Sequence, residues 1–319
     1  MKGIDEHFDA SRFEWGAEAT SGLRGKMAEF RSYLDKPTNN ENFAILCNLV
    51  YRNFVNRIPI PSIEIHAPIL IRSRPNFGDK MFAEEWEISY NSRNPEKIGP
   101  GRFNMPGRAM FYGCAPGEPT EKEEARKEDF QLTSCLEACH QLLDDSNNEP
   151  YQYFTCGIWE ITKPLVVNNL GLNENMMAAN HSLKRNIENF IVDLKKTFSA
   201  ESVQLILEFW KFISDLAAQK NQTGGEHFLT TAYSTAMFAY YRDVLPKEID
   251  GIFYPSPITH NYGINVVVKP EIVDTHLQLK SVYMIKFERD AGDPKRYDIA
   301  KCSDEVPVIE SKFKLEKQF

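Results

Sequence analysis

The chain has 319 residues, of which 42% are hydrophobic, and it carries a net charge of −8 at pH 7. This length can bury one large core or two ordinary ones, and the acidic balance argues against general binding of nucleic acid or of an anionic membrane. Six cysteines are too few for a disulfide scaffold, and no long apolar run or signal peptide is evident. We therefore expect a cytoplasmic protein with reduced thiols and no membrane span.

Residues 1–60 are predicted to form an N-terminal helical segment. A capping box of Thr38 and Glu41 precedes apolar residues that recur at helical spacing between Phe43 and Phe54. Because such an apolar stripe needs a cover, we expect this segment to pack on the main body of the protein.

The next stretch, IPIPSIEIHAPILIRSRP, is rich in proline and β-branched residues and predicts extended structure. Arg72 and Arg74 are two residues apart and would share one face of a strand. Two neighbouring guanidinium groups repel each other unless an anion or carboxylates lie between them. The pattern therefore fits an anion-binding strand, and equally a strand edge protected by its charges.

The stretch GPGRFNMPGRAMFYG, residues 99–113, joins a turn-rich loop to a short strand. Its glycines and prolines exclude a helix and allow a close approach of the backbone to another group. Arg102 in such a loop suits a phosphate, because the planar guanidinium donates several hydrogen bonds. The alternative is that Arg102 forms a salt bridge with a nearby carboxylate and that Tyr112 belongs to the core.

A charged stretch, residues 116–129, is predicted to be solvated and is followed by a helix in FQLTSCLEACHQLLDD. Glu137 lies close to the apolar side of that helix, and a glutamate half-buried near arginines is a candidate for chemistry. Three further glutamates in the charged stretch compete with it: Glu123, Glu124 and Glu128.

The same helix carries Cys135 and Cys139 on one face, followed by His140. A zinc site needs a second pair of ligands, and none is evident, so we expect no metal. A cysteine hydrolase with Cys135 as its nucleophile is a further alternative.

Downstream, the pattern predicts a strand in YQYFTCGIWEITKPLVV, two helices in residues 175–221 and another helix in EHFLTTAYSTAMFAYYRDV. A strand that ends at Phe253 leads into the turn YPSP, which holds Ser256 between two prolines. The strand Ile264–Val268 and a last strand in SVYMIKFER follow, and the chain ends in a charged tail.

Taken in order, these elements resemble the RES domain family over residues 68–286. The resemblance depends on an R-x-R strand, on GRFN with a tyrosine in FYG, on a glutamate in SCLEA and on GIFYPS followed by GINVVV. The corresponding residues are Arg72, Arg74, Arg102, Tyr112, Glu137 and Ser256.

The resemblance implies an α+β fold similar to that of ADP-ribosyltransferases: a split, mostly antiparallel sheet flanked by helices around an NAD cleft. This chain would add the N-terminal helical segment and a helical insertion at about 175–221 to a catalytic domain of residues 61–290, with residues 291–319 as the tail. Members of the family look like NAD-degrading toxins that need no metal. They cleave the nicotinamide–ribose bond by hydrolysis or phosphorolysis.

The implied roles follow the chemistry of NAD. Arginines Arg72, Arg74 and Arg102 would bind the pyrophosphate, and Glu137 would stabilise the oxocarbenium-like ribosyl cation. Tyr112 would offer a face to the nicotinamide ring, and Ser256 would hold the ribose or a phosphate.

Two other functions fit the same residues: transfer of ADP-ribose to a protein acceptor, and binding of a nucleotide without catalysis. The resemblance also implies a protein inhibitor of the antitoxin kind as a partner. Three roles stay open for the helical insertion: covering the cleft, forming a homodimer and contacting a partner.

Overall fold

The computed structural model describes residues 17–65, 67–78, 80–90, 93–116, 123–139, 150–219, 224–244, 249–259, 263–290, 297–301 and 303–316. These residues form nine α-helices: α1 (Ala17–Arg31), α2 (Asn40–Val50), α3 (Glu85–Ile88), α4 (Glu123–Ala138), α5 (Glu174–Ala179), α6 (His181–Thr197), α7 (Ala200–Ala217), α8 (Gly224–Val244) and α9 (Pro270–His276). They also form ten β-strands: β1 (Ser62–Ile65), β2 (Ile69–Asn76), β3 (Phe111–Ala115), β4 (Tyr151–Ile161), β5 (Leu165–Asn169), β6 (Gly251–Pro255), β7 (Ile264–Val268), β8 (Leu277–Arg289), β9 (Tyr297–Lys301) and β10 (Val306–Pro307).

The ten strands belong to one sheet. Their order is β1-β5-β6-β7-β3-β2-β4-β8-β10, and β9 also pairs with β8. The parallel pair is β5 with β6, whereas the other described pairs are antiparallel. The protein is therefore a mixed α and β structure with a large, mostly antiparallel sheet and helices, as the sequence predicts at this level.

Helices cover both faces of the central strands. In β7, the side chain of Val267 joins a core formed with α1, α2, α7 and α8, while Val266 and Val268 join a second core on the opposite face. This burial on both faces explains why INVVV is apolar throughout instead of alternating with polar residues. Each described helix is too short or too polar to span a bilayer.

The N-terminal segment is helical from residue 17, as predicted, and it packs against α7 and α8. The predicted capping box is wrong by one residue. The N-cap of α2 is Asn39, whose side chain accepts a hydrogen bond from the backbone N–H of Asn42 at 2.9 Å. Asparagine is as good an N-cap as threonine, so Thr38 is not needed for this role.

Helix α4 begins earlier than predicted, at Glu123, inside the stretch expected to be a solvated loop. The helix ends at Ala138, and residues 140–149, which include His140, lie outside the described residues. The side chains of Glu123, Glu124 and Glu128 also lie outside them.

The C-terminal stretch is more ordered than the predicted charged tail. Strands β9 and β10 both pair with β8, and the side chains of Phe313 and Leu315 are buried in the core that contains Val266. The apolar residues at the end of this stretch, between its lysines and glutamates, account for the packing.

The sheet is nearly split between β2 and β3. These strands share a single described register position, Ile71 opposite Cys114. By contrast, β2 pairs with β4 over all eight of its residues. The two strands have no other described register position, and residues of both line one cleft.

Candidate functional site

A cleft of about 500 Å³ occupies the gap between β2 and β3. Its volume lies within the range of small-molecule sites, roughly 300–1,000 Å³. Four of the six residues predicted for the site line it: Arg72, Arg74, Tyr112 and Glu137. The other two, Arg102 and Ser256, lie behind its wall.

Glu137, in the last turn of α4, is half-buried and is held by two side chains from other elements. Its Oε1 atom accepts a hydrogen bond from Ser256 Oγ at 2.5 Å and another from Asn265 Nδ2 at 2.8 Å. Asn265 is held in turn, because its Oδ1 accepts from Cys114 Sγ at 3.0 Å. Among the described residues Oε2 has no hydrogen-bond partner. The carboxylate is therefore fixed through one oxygen.

Ser256 is fully buried and follows the end of β6. Its backbone N–H donates to the carbonyl of Gly263 at 2.8 Å, and this bond closes the loop between β6 and β7. A methyl group at Gly263 would lie 2.5 Å from Thr259 Oγ1, so the loop requires glycine there. The serine predicted to hold a ligand therefore contacts Glu137 instead.

Arg72 and Arg74 lie on β2 along one wall of the cleft. Arg72 Nη1 donates to the carbonyl of Tyr112 at 2.6 Å, and Arg74 Nη2 donates to the carbonyl of Ser89 at 2.8 Å. The Nε atoms of both arginines are buried and have no hydrogen-bond partner among the described residues. Each guanidinium group therefore has unused donors.

Burial raises the free energy of the charged form of both arginines. It is the main cause of the lowered pKa of Arg72, which falls to about 9, and the adjacent Arg74 lowers it further. Burial also lowers the pKa of Arg74, although Glu87 partly opposes this change. Because arginine stays protonated in proteins, the cleft holds two positive charges, which the protein offsets with carbonyl groups and, for Arg74, with Glu87.

Tyr112 lines the cleft, and its hydroxyl points into the GRFN loop. The hydroxyl donates to Asn104 Oδ1 at 2.8 Å and accepts from the backbone N–H of Phe103 at 3.0 Å. Burial raises the pKa of Tyr112 well above its ordinary value. The phenol is therefore a fixed neutral group whose hydroxyl is already engaged.

Arg102 is almost fully buried and does not line the cleft. Its Nη1 donates to the carbonyl oxygens of Ala217 at 2.7 Å and Gln219 at 3.2 Å, at the C-terminal end of α7. A cation is favourable at this position because the carbonyl groups at a helix C-terminus lack intrahelical partners and carry partial negative charge. The observed contacts of Arg102 thus anchor the GRFN loop to α7.

Helix α8 holds the same loop from a second side. Three hydroxyl groups on this helix donate to successive carbonyl groups of the loop: Thr231 to Gly101 at 3.2 Å, Thr230 to Arg102 and Ser234 to Phe103 at 3.1 Å. Sequence reasoning missed these residues, since hydroxyl groups within a helical pattern carry no signal for a distant partner.

The structure also adds cleft residues that the sequence analysis did not select. Asn265 belongs to the GINVVV motif of the resemblance, but no role at the site was predicted for it. Tyr254, Phe77 and Lys80 line the cleft as well. For Phe77 a signal existed, since an aromatic residue next to Gly78 directly follows the R-x-R strand.

A larger cavity, of about 840 Å³, lies against the outer side of the GRFN loop and α8. It contains none of the six predicted site residues. Its Lys269 forms an ion pair with Glu271 at 3.7 Å. The smaller cleft is the better candidate, because it combines arginines that have unused donors with a positioned carboxylate.

The cysteine chemistry considered from the sequence has little support in the described residues. Cys135 is fully buried, 3.8 Å from the sulfur of Cys156, and burial raises its pKa well above the ordinary value. A thiolate nucleophile is therefore disfavoured there. The described residues contain no group of three or more His, Cys, Asp or Glu side chains arranged to hold a metal ion.

Comparison with known proteins adds no relative. No model of a known protein family matches the chain, and no curated protein matches its sequence.

Proposed function

We propose that this protein binds NAD in the cleft between β2 and β3 and cleaves the nicotinamide–ribose bond. One observation carries the proposal: a carboxylate held by Ser256 and Asn265 shares a cleft with two half-buried arginines that have unused donors. The order of these residues along the chain is also that of the RES domain family.

The charge of the cleft suits a dinucleotide. Arg72, Arg74 and Lys80 line it with the carboxylate of Glu137, and because Lys80 pairs with Glu87 at 3.6 Å, the two arginines carry the excess positive charge. The whole chain carries −8, so this local excess of positive charge runs against the average. A pyrophosphate would supply acceptors for the unused arginine donors and offset the cost of burying two cations.

The carboxylate suits cleavage of a glycosidic bond. As the nicotinamide leaves, positive charge develops on the ribose, and a preorganised carboxylate stabilises it. With Oε1 fixed by two hydrogen bonds, Oε2 is available to a ribose hydroxyl or to the incoming nucleophile. Ser256 and Asn265 act here as positioning residues, since each reaches the ligand through Glu137.

The ring of Tyr112 completes this end of the cleft. Its hydroxyl is engaged by Asn104 and Phe103, so the ring is held with its orientation fixed. A flat nicotinamide ring would pack on such a surface. Arg102 supports this arrangement from α7 and does not contact the ligand.

The ADP-ribosyltransferase-like fold belongs to the same proposal. In its favour, β2 and β3 separate after one register position and the cleft occupies the resulting split. The implied partners, a protein inhibitor and a second copy of the chain, stay predictions.

The decisive experiment follows nicotinamide release from NAD by the purified protein, with and without phosphate. We expect release by the wild type and a loss of about a hundredfold or more in Glu137→Gln, the range seen when a preorganised electrostatic group is removed. The glutamine keeps Oε1 as an acceptor for Ser256 and Asn265, so the variant tests the charge with little change in packing.

Product analysis separates the related activities. Free ADP-ribose indicates hydrolysis, its phosphorylated form indicates phosphorolysis, and a labelled macromolecule indicates transfer to a protein. NAD binding without nicotinamide release would contradict the enzyme and leave a nucleotide-binding protein.

A further inference from the structure

Phe77 lines the cleft but has no part in the cleavage chemistry proposed above. Its side chain is 64% exposed, although phenylalanine normally avoids water, and it lines the outer end of the cleft. An aromatic ring kept in water at the mouth of a charged cleft is a ready surface for a flat ligand.

The backbone around Phe77 is held in place. The side chain of Asn76 donates to the carbonyl of Lys80 at 3.0 Å, and the N–H of Lys80 donates to the carbonyl of Phe77 at 3.3 Å. Gly78 has a φ of 60°, a backbone conformation that favours glycine. The ring therefore projects from a fixed turn at the end of β2.

The sheet register gives the order of groups along the cleft. Glu137 lies near the Ile71–Cys114 pair, because its partner Asn265 is opposite Cys114 in β7. Arg72 comes next along β2, then Arg74, and Phe77 lies beyond the strand end.

This order matches the order of parts in a dinucleotide. At about 3.3 Å per residue, Phe77 is roughly 10 Å beyond Arg74, a span that a ribose and its base can bridge. With the nicotinamide ribose at Glu137 and the pyrophosphate at the arginines, the second base reaches Phe77.

Resting on the function proposed above, we propose that Phe77 is the stacking surface for the adenine base of NAD. It makes the cleft specific for an adenine dinucleotide over the mononucleotide half. Lys80 also lines the cleft, where it pairs with Glu87 at 3.6 Å, so the attraction for the phosphates falls to the two arginines.

The test measures binding by calorimetry in Glu137→Gln protein, which prevents turnover, with and without Phe77→Ala. We expect Phe77→Ala to weaken binding of NAD and of ADP-ribose by about 5- to 100-fold, the range for loss of one base–aromatic stack. Binding of nicotinamide mononucleotide, which lacks the adenosine, should stay within about twofold. Phe77→Trp should restore NAD binding.

Val192→Ala serves as the control, because Val192 is 50% exposed on α6 and lies outside the cleft. Equal NAD affinity with and without Phe77→Ala would overturn the role of Phe77 and leave the proposed function intact. Equal weakening of NAD and of the mononucleotide would also overturn it, since that pattern indicates general damage to the cleft. Failure of the parent protein to bind NAD would reject the proposed function and the stacking role with it.

Discussion

Replacing Arg102 with alanine should lower the stability of the fold more than it weakens binding of the proposed ligand. The guanidinium group donates to two carbonyl groups. The carbonyl of Ala217, at the end of α7, belongs to a buried residue, and the carbonyl of Gln219 belongs to an exposed one. Losing the buried partner of a charge-assisted hydrogen bond costs about 1.5–3 kcal/mol, and the exposed one costs less because water replaces it. We expect a total loss of about 2–4 kcal/mol in the free energy of unfolding.

The loss converts into a measurable change in melting temperature. With an unfolding entropy of about 2.1 cal/mol/K per residue, 319 residues give about 0.67 kcal/mol/K, so Tm should fall by about 3–6 °C. Calorimetry or urea unfolding measures this change. Arg108→Ala is a matched control, because Arg108 is an exposed arginine six residues after Arg102 in the same turn-rich stretch and should change stability by less than about 0.5 kcal/mol.

One result would refute the reasoning. If Arg102→Ala has the same Tm as Arg108→Ala but binds NAD at least tenfold more weakly, the guanidinium group acts on the ligand and not on α7. Arg72→Ala should give the opposite pattern, a large loss of binding with a smaller loss of stability, because removing a cation that burial disfavours offsets the loss of its bond to the Tyr112 carbonyl.

Three further changes test other parts of the structure. Asn265→Ala removes one of the two bonds to Glu137 and should lower kcat for nicotinamide release by about tenfold with little change in KM, since Asn265 positions the carboxylate; an unchanged kcat would contradict that role. Gly251→Ala places a methyl group 2.0 Å from the carbonyl oxygen of Val267 in the neighbouring strand, so its folded yield and Tm should fall sharply, and near-wild-type values would contradict the close approach. Burial raises the pKa of Cys47 to about 12 and also raises the pKa of Cys135. Above pH 9, therefore, these thiols lose their protons in the unfolded chain but keep them in the native protein. The contribution of these thiols to the free energy of unfolding is complete below pH 9, and for Cys47 it declines between pH 9 and about pH 12. Urea unfolding at pH 8 and at pH 10 measures this decline. The decrease between the two pH values should be smaller in Cys47→Ala than in the wild type.

Much of the fold could be predicted because local patterns agree with the tertiary structure. The run INVVV is apolar throughout since β7 is buried on both faces, and its bounds were predicted correctly. Ser199 is a typical N-cap residue before a helical pattern, and its side chain accepts the hydrogen bond from the N–H of Ser202 at the start of α7. Signals of this kind need no knowledge of distant residues.

The start of α4 could not be separated from a loop by charge alone. The stretch EKEEARKED has no glycine or proline and consists of good helix formers, with Glu123 four residues before Lys127. Its high charge led to the prediction of a solvated loop, although a solvated helix face has the same composition.

Arg102 shows a different limit. Glycines around an arginine suggest a phosphate loop, but Gly101 is required for a local reason. A methyl group there would lie 2.2 Å from Asn104 Oδ1, the acceptor for the Tyr112 hydroxyl. The partners of the arginine itself are more than a hundred residues away in α7, and no local pattern reports them.

The six residues that a sequence motif brings together therefore divide into two groups that act by different physics. Arg72, Arg74, Tyr112 and Glu137 line the cleft, and their losses should appear in binding or turnover. Ser256 and Arg102 lie behind it, each one step from a lining residue. Ser256 reaches the cleft through Glu137, and Arg102 reaches it through the loop that fixes the Tyr112 hydroxyl. Both groups would be essential to a working site, so a motif alone cannot distinguish a residue that touches the ligand from one that holds its neighbour. The distinction is measurable, because removal of a supporting residue should add little to the loss caused by removing the residue it supports: Ser256→Ala combined with Glu137→Gln should be barely less active than Glu137→Gln alone.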